Sequence, residues 1–186
     1  MAVVRGAPGI LAVTTFFLAG AATVLVLGLL VFLLRARRLD RARAARITAL
    51  DTAMGLWLVV ILAVTVVPIR AAGYLPPIGL IPFLDAFQRI ANGESTVGGE
   101  AFDVINNIIL FLPLGILAGV RWGRSWRTVF ILLAIALSTS IETTQALQDS
   151  GRFASATDIL TNTVGAAIGF SVGLRIRRRR SDAGDD

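Results

Sequence analysis

Four residues stand out because of where they lie. Glu142, Gln145, Asp158 and Asn162 sit at the facing ends of two very apolar segments, separated by a short polar turn that holds Asp149, Gly151 and Arg152. An Asp at the centre of a bilayer-spanning helix costs about 2.5–3.5 kcal/mol on insertion scales, so such groups are kept where they face a bundle interior, pair, or touch water. Two carboxylates in unlike surroundings can have their pKa values pushed apart, which is the arrangement acid–base chemistry needs. The planar fork of Arg152 suits a phosphate or a carboxylate. The amides of Asn106, Asn107, Gln145 and Asn162 both donate and accept, as a polar head group would require. A plainer use of the same residues is structural: Glu142 and Asp158 would pair with Arg152 and the Asn side chains and lock three helices together. An Arg152 pair with Asp149 or Asp158 is the corresponding plain reading of the arginine.

Composition narrows the chemistry. The chain has no Cys and no His, which excludes disulfides, thiolate or imidazole metal sites, Cys nucleophiles and His-dependent general bases. No metal and no cofactor is expected. Of 186 residues, 55% are hydrophobic, and the mean hydropathy is +0.77. The expected fold is all-α: a polytopic membrane helix bundle of about five transmembrane helices forming a single membrane domain over 1–186, with a basic cytoplasmic tail at 175–186.

The elements that must position the polar residues follow in order. Residues 10–34 form an uncharged run long enough to cross a bilayer with some tilt. A cleaved signal peptide, with small residues at Gly20, Ala21 and Ala22, is the weaker rival, because the run continues past them into a dense Arg cluster. That cluster, from Arg35 to Arg46, reads as a topology-fixing cytoplasmic loop, with attraction to anionic lipid heads as an extension of the same physics. A second span covers 52–68, with Asp51 near its start and without a special role. The connection at 70–100 contains a short helix at 82–90. Phe83, Phe87 and Ile90 share one face of it, with Asp85, Gln88 and Arg89 elsewhere, which suits an interfacial helix preceded by a re-entrant piece.

The third span, 103–120, opens with Asp103, Asn106 and Asn107 on one face and is interrupted by Pro113. Spans at 126–148 and 158–174 complete the set. The last carries Gly165, Gly169 and Gly173, to match Gly115 and Gly119 of the third, and such stripes let helices approach closely. Trp57, Trp122 and Trp126 read as interfacial or packing aromatics. With five spans and the N-terminus outside, 14 arginines fall inside and 4 outside, the asymmetry of a cytoplasmic face. It accounts for the net charge of +6 without nucleic acid. The same orientation puts Glu142, Gln145, Asp158, Asn162 and the Asp103–Asn107 face at the outer end of the bundle. Glu142 lies about 9 Å along its helix from the end of that span, just below the headgroup level.

The motif order carries a resemblance. Glu142-x-x-Gln145, Arg152, then Asp158-x-x-x-Asn162-x-x-Gly165-x-x-x-Gly169, preceded by Asn107-Ile-Ile-Leu-Phe-Leu-Pro-Leu-Gly115, resembles the signature of the VanZ-like family of bacterial integral membrane proteins over about residues 56–174. Gly79-Leu-Ile-Pro-Phe83 is similar to a third element, with Gly where the pattern carries Asn. The interval from Phe153 to Thr157 lacks the acidic residues the family often has there. The resemblance implies a multi-pass protein of the bacterial plasma membrane and an association with reduced susceptibility to glycopeptides, teicoplanin especially.

Three functions fit these residues. The first is an outward-facing site, built from Asn107, Glu142, Gln145, Arg152, Asp158 and Asn162, that binds or modulates a lipid-linked precursor, an anionic lipid or a glycopeptide. The second is an intramembrane acid–base enzyme using Glu142 and Asp158, with Ser138, Ser140, Thr143 and Thr144 as the hydroxyls on hand. The third is a small transporter or lipid-translocating module. The apolar inner halves of the spans and the lack of an inverted repeat weigh against it. Membrane lipids are the expected partners, and the sequence does not fix an oligomeric state.

Overall fold

The computed structural model describes residues 7–67, 79–148 and 154–182. Within them the chain forms α1 (Ala7–Arg35), α2 (Arg41–Thr65), α3 (Leu84–Ala91), α4 (Val97–Trp122), α5 (Arg127–Leu147) and α6 (Ala156–Asp182), with a single 3-10 turn at Arg124–Trp126 leading into α5. All but α3 are long and apolar enough to cross a membrane. Several helices begin before their apolar runs do, because polar caps start them. The Asp40 carboxylate accepts the Ala42 and Arg43 amides ahead of α2, and Thr96 Oγ1 accepts the Gly99 amide ahead of α4. At the other extreme, α6 does not end at 174. Its helix continues through the arginines to Asp182, so most of the expected tail is helical.

The bundle is built on α4 and α6, which run parallel in backbone contact. A Cβ added at Gly165, Gly169 or Gly173 would strike the carbonyls of Ile108, Leu112 and Ile116. One at Gly115 or Gly119 would strike those of Ala166 and Phe170. Both stripes advance by four residues per step, with three glycines on α6 and two on the second half of α4. Pro113 lies inside α4 and deprives the Ile109 carbonyl of its usual donor. One residue further on, the Leu110 carbonyl accepts the indole N–H of Trp57 at 2.8 Å, which ties α2 to this stretch. α5 returns antiparallel. Phe130 stacks on Phe170 with ring centroids 5.1 Å apart, and Phe111, Ile61 and Ile141 complete a buried core. α1 packs as an antiparallel hairpin on α2, with Gly20 against Val59 and Gly28 against Thr52.

The two ends of the bundle differ in charge. One end holds the start of α2 and the ends of α1, α4 and α6. There Asp51 bridges Arg35 at 2.7 Å and Arg121 at 2.8 Å, joining α1, α2 and α4. The sequence reading gave Asp51 no special role; the structure makes it the carboxylate that ties these three helices. The other end gathers the starts of α4 and α6, the ends of α2 and α5, and α3.

Candidate functional site

Ser155 is where the polar end of the bundle is assembled. It precedes α6 as a cap: its Oγ accepts the Thr157 amide at 3.1 Å, and its carbonyl accepts the amides of Asp158 and Ile159. The same hydroxyl donates to Asp85 Oδ2 at 2.9 Å, and the Ser155 amide donates to Glu142 Oε2 at 2.9 Å. Thr157 Oγ1 accepts the Phe83 amide at 2.7 Å. A parallel bridge seals the junction, with Gly79 N–H donating to the Ala154 carbonyl and Ala156 N–H to the Gly79 carbonyl. A single residue thus joins α3, α5 and α6.

α3 differs from the helix read from sequence. It forms at Leu84–Ala91, but its carboxylate does not face water. Asp85 is only 6% exposed while Phe87 is 70% exposed. The helix therefore turns its acid inward against α6 and its phenylalanine outward. Arg89, one turn on, lies 3.5 Å from Asp85 and forms a two-pronged pair with Glu100 at 2.6 and 3.0 Å. The Glu100 hydrogen bond raises the Arg89 pKa against the opposing desolvation, so the guanidinium stays charged.

These contacts frame a cleft of about 460 Å³. Five of the six expected site residues line it: Asn107, Glu142, Gln145, Asp158 and Asn162. Asn107 Nδ2 donates to Asp158 Oδ1 at 2.7 Å, which joins α4 to the first turn of α6. Gln145 Nε2 donates to the Thr65 carbonyl at the end of α2. Asn162 Nδ2 donates to Ser138 Oγ at 2.8 Å, while Asn162 Oδ1, in a residue only 2% exposed, has no partner among the described residues. The sixth expected residue, Arg152, lies outside the described residues, as does Asp149. Asp103 and Asn106 also line the cleft, as their shared face with Asn107 implied.

Asp85 was absent from the sequence reading of the site, and Ser155 and Thr157 figured in it only within the interval after Arg152. One signal pointed to Ser155: a Ser three residues ahead of Asp158 at the start of an apolar run is a helix-start signature. Nothing in the sequence marked Asp85 as buried. The hydroxyls considered as nucleophiles all take part in hydrogen bonds. Those of Ser140, Thr143 and Thr144 donate to carbonyls of their own helix, and Ser138 holds Asn162. Among the described residues no group of three or more His, Cys, Asp or Glu is placed to hold a metal.

No curated protein and no solved structure matches this chain. The family model described as VanZ/LLP1 matches residues 52–177, a stretch that takes in the second half of α2, the Ser155 junction, the glycine seam and every cleft residue named above, and the chain belongs to the VanZ-like family.

Proposed function

We propose that the chain is a multi-pass protein of the bacterial plasma membrane, with its N-terminus outside and its C-terminus in the cytoplasm, whose cleft opens outward and binds the polar part of an envelope component. The arginine asymmetry supports that orientation. The observation that carries the reading is the buried Asn162 Oδ1, left without a partner on the cleft wall. An unsatisfied buried acceptor costs about 1–3 kcal/mol.

The rest of the lining favours a ligand that donates. Among the described lining residues, Glu94, Glu100, Asp103, Glu142 and Asp158 carry carboxylates, against the single guanidinium of Arg89, which Glu100 and Asp85 already engage. Such a wall repels a bare phosphate and accepts hydroxyl, amide or ammonium hydrogens. The sugar–peptide part of a lipid-linked cell-wall precursor offers those groups, with its lipid in the membrane beside the cleft. A glycopeptide such as teicoplanin offers similar groups, and its binding would connect the chain to glycopeptide resistance.

The test is binding of a fluorescent lipid-linked disaccharide–peptide precursor to the purified protein. Glu142→Gln keeps an oxygen for the Ser155 amide, and Asn162→Leu nearly keeps the side-chain volume, so thermal unfolding can verify that both variants fold. Each is expected to weaken binding about tenfold, the effect of one hydrogen bond to the ligand. Unchanged affinity in both would sink the reading. Turnover of the precursor, abolished by Glu142→Gln, would replace it with the acid–base enzyme.

A further inference from the structure

The opposite end of the bundle holds a second and larger concavity, of about 890 Å³, between the start of α2 and the ends of α4 and α6. Its lining includes Arg43, Arg46, Arg121, Arg177 and Arg180, over an apolar floor of Ile47, Leu50 and Val120. These arginines come from three stretches far apart in sequence. A topology signal needs only that the charges lie on one side of the membrane. It does not require them to converge on one hollow.

The lining holds one carboxylate, and it is committed elsewhere: Asp40 accepts the Ala42 and Arg43 amides as the cap of α2. Asp51, nearby, is divided between Arg35 and Arg121. Arg177 is anchored from below, donating to the Val120 and Arg121 carbonyls that end α4. Arg43 and Arg180 make no ion pair with any described residue. Arg43, Arg177 and Arg180, which line the hollow without a carboxylate partner among the described residues, repel each other unless an anion joins them. A phosphate diester or monoester matches the guanidinium fork. The apolar floor then suits the glycerol and first methylenes of a lipid.

We propose that this hollow binds the head group of an anionic lipid carrying at least two phosphate charges. The shared chemistry is phosphate; the floor selects the lipid form over a soluble one. The proposal stands apart from the cleft at the other end and from its orientation, since a lipid nanodisc exposes both faces.

The full-length protein would be placed in phosphatidylcholine nanodiscs containing a few mole per cent of a diphosphate lipid such as cardiolipin, and bound lipid read by native mass spectrometry. Arg43→Gln/Arg180→Gln would be compared with Arg38→Gln/Arg179→Gln, which removes the same charge from the same two segments but not from the lining. The first pair is expected to weaken retention of the diphosphate lipid about thirtyfold, at roughly a factor of five to six per arginine, and the second less than about threefold. Equal losses in the two pairs would overturn the site in favour of a diffuse basic field, and undiminished retention in the first would overturn it outright. Inorganic pyrophosphate added in detergent supplies the other arm. Binding as tight as that of the lipid would overturn the lipid assignment, while displacement only at far higher concentration supports it.

Discussion

Replacing Gly169 with leucine is expected to leave little or no folded protein in the membrane, and Gly169→Ala is expected to cost about 1–3 kcal/mol. The reason is that the obstacle is backbone. A Cβ at this position meets the Leu112 carbonyl, with the Ile116 amide nitrogen 3.0 Å away, and neither can swing aside as a side chain could. Overpacking a well-packed contact typically costs about 1–3 kcal/mol and occasionally more, and a leucine adds a branched side chain where even one carbon meets backbone. The neighbouring positions offer no relief, because Gly165 and Gly173 are pressed against α4 in the same way. The seam can therefore yield only by moving α6 bodily away from α4. That motion would also separate Asn107 from Asp158 and open the polar end. Fluorescence-detected size exclusion, followed by thermal unfolding in detergent, reads the effect. Gly98→Leu is the control, since a Cβ there meets nothing within 4 Å. A Gly169→Leu variant as stable as that control would mean that the helices do not touch as described.

The second large effect is at Asp85. Asp85→Ala is expected to cost about 2–3 kcal/mol and to release α3, while α4 and α6 stay packed. The buried carboxylate accepts the Ser155 hydroxyl, lies 3.4 Å from that of Thr157, and neighbours Arg89. Hydrogen bonds to a charged acceptor contribute about 1.5–3 kcal/mol, and removing the acceptor strands its donors. Asp85→Asn retains an acceptor oxygen and should fall between alanine and the wild type. Hydrogen exchange followed by mass spectrometry distinguishes this from global destabilisation: protection should be lost at 79–96 and kept in the glycine seam. Uniform loss across all helices would contradict the assignment of Asp85 as a local latch.

What the sequence revealed and what it concealed have physical reasons. The five spans were legible because a bilayer demands long apolar helices, and hydropathy reads that demand directly. Their starts were less so. Asp40 and Thr96 begin α2 and α4 with a polar first turn, which hydropathy counts as loop. Glu142, Asp158 and the amides were visible as site candidates because polar groups within apolar segments are expensive and so conspicuous. Asp85 was not, because on a short amphipathic helix a carboxylate looks like any solvent-facing charge. Only the fold shows that α3 lies over Ser155 and turns that charge inward. Asp51 was missed for a related reason. Its two arginine partners lie 16 positions before it and 70 after it, and no local pattern announces such a meeting.

The central claim is that the cleft lies at the envelope end of the bundle, and cysteine accessibility tests it most directly. The chain has no native cysteine, so single probes need no background removal. Ser155, though central to the site, is a poor position, since it is buried and joins three helices. Gly98, exposed in the first turn of α4, and Ser181, exposed near the end of α6, mark the two ends. Intact cells producing Gly98→Cys or Ser181→Cys would be treated with a membrane-impermeant thiol reagent. Labelling at 98 but not at 181 is predicted. Labelling at 181 but not at 98 would put the cleft in the cytoplasm and contradict the proposed function.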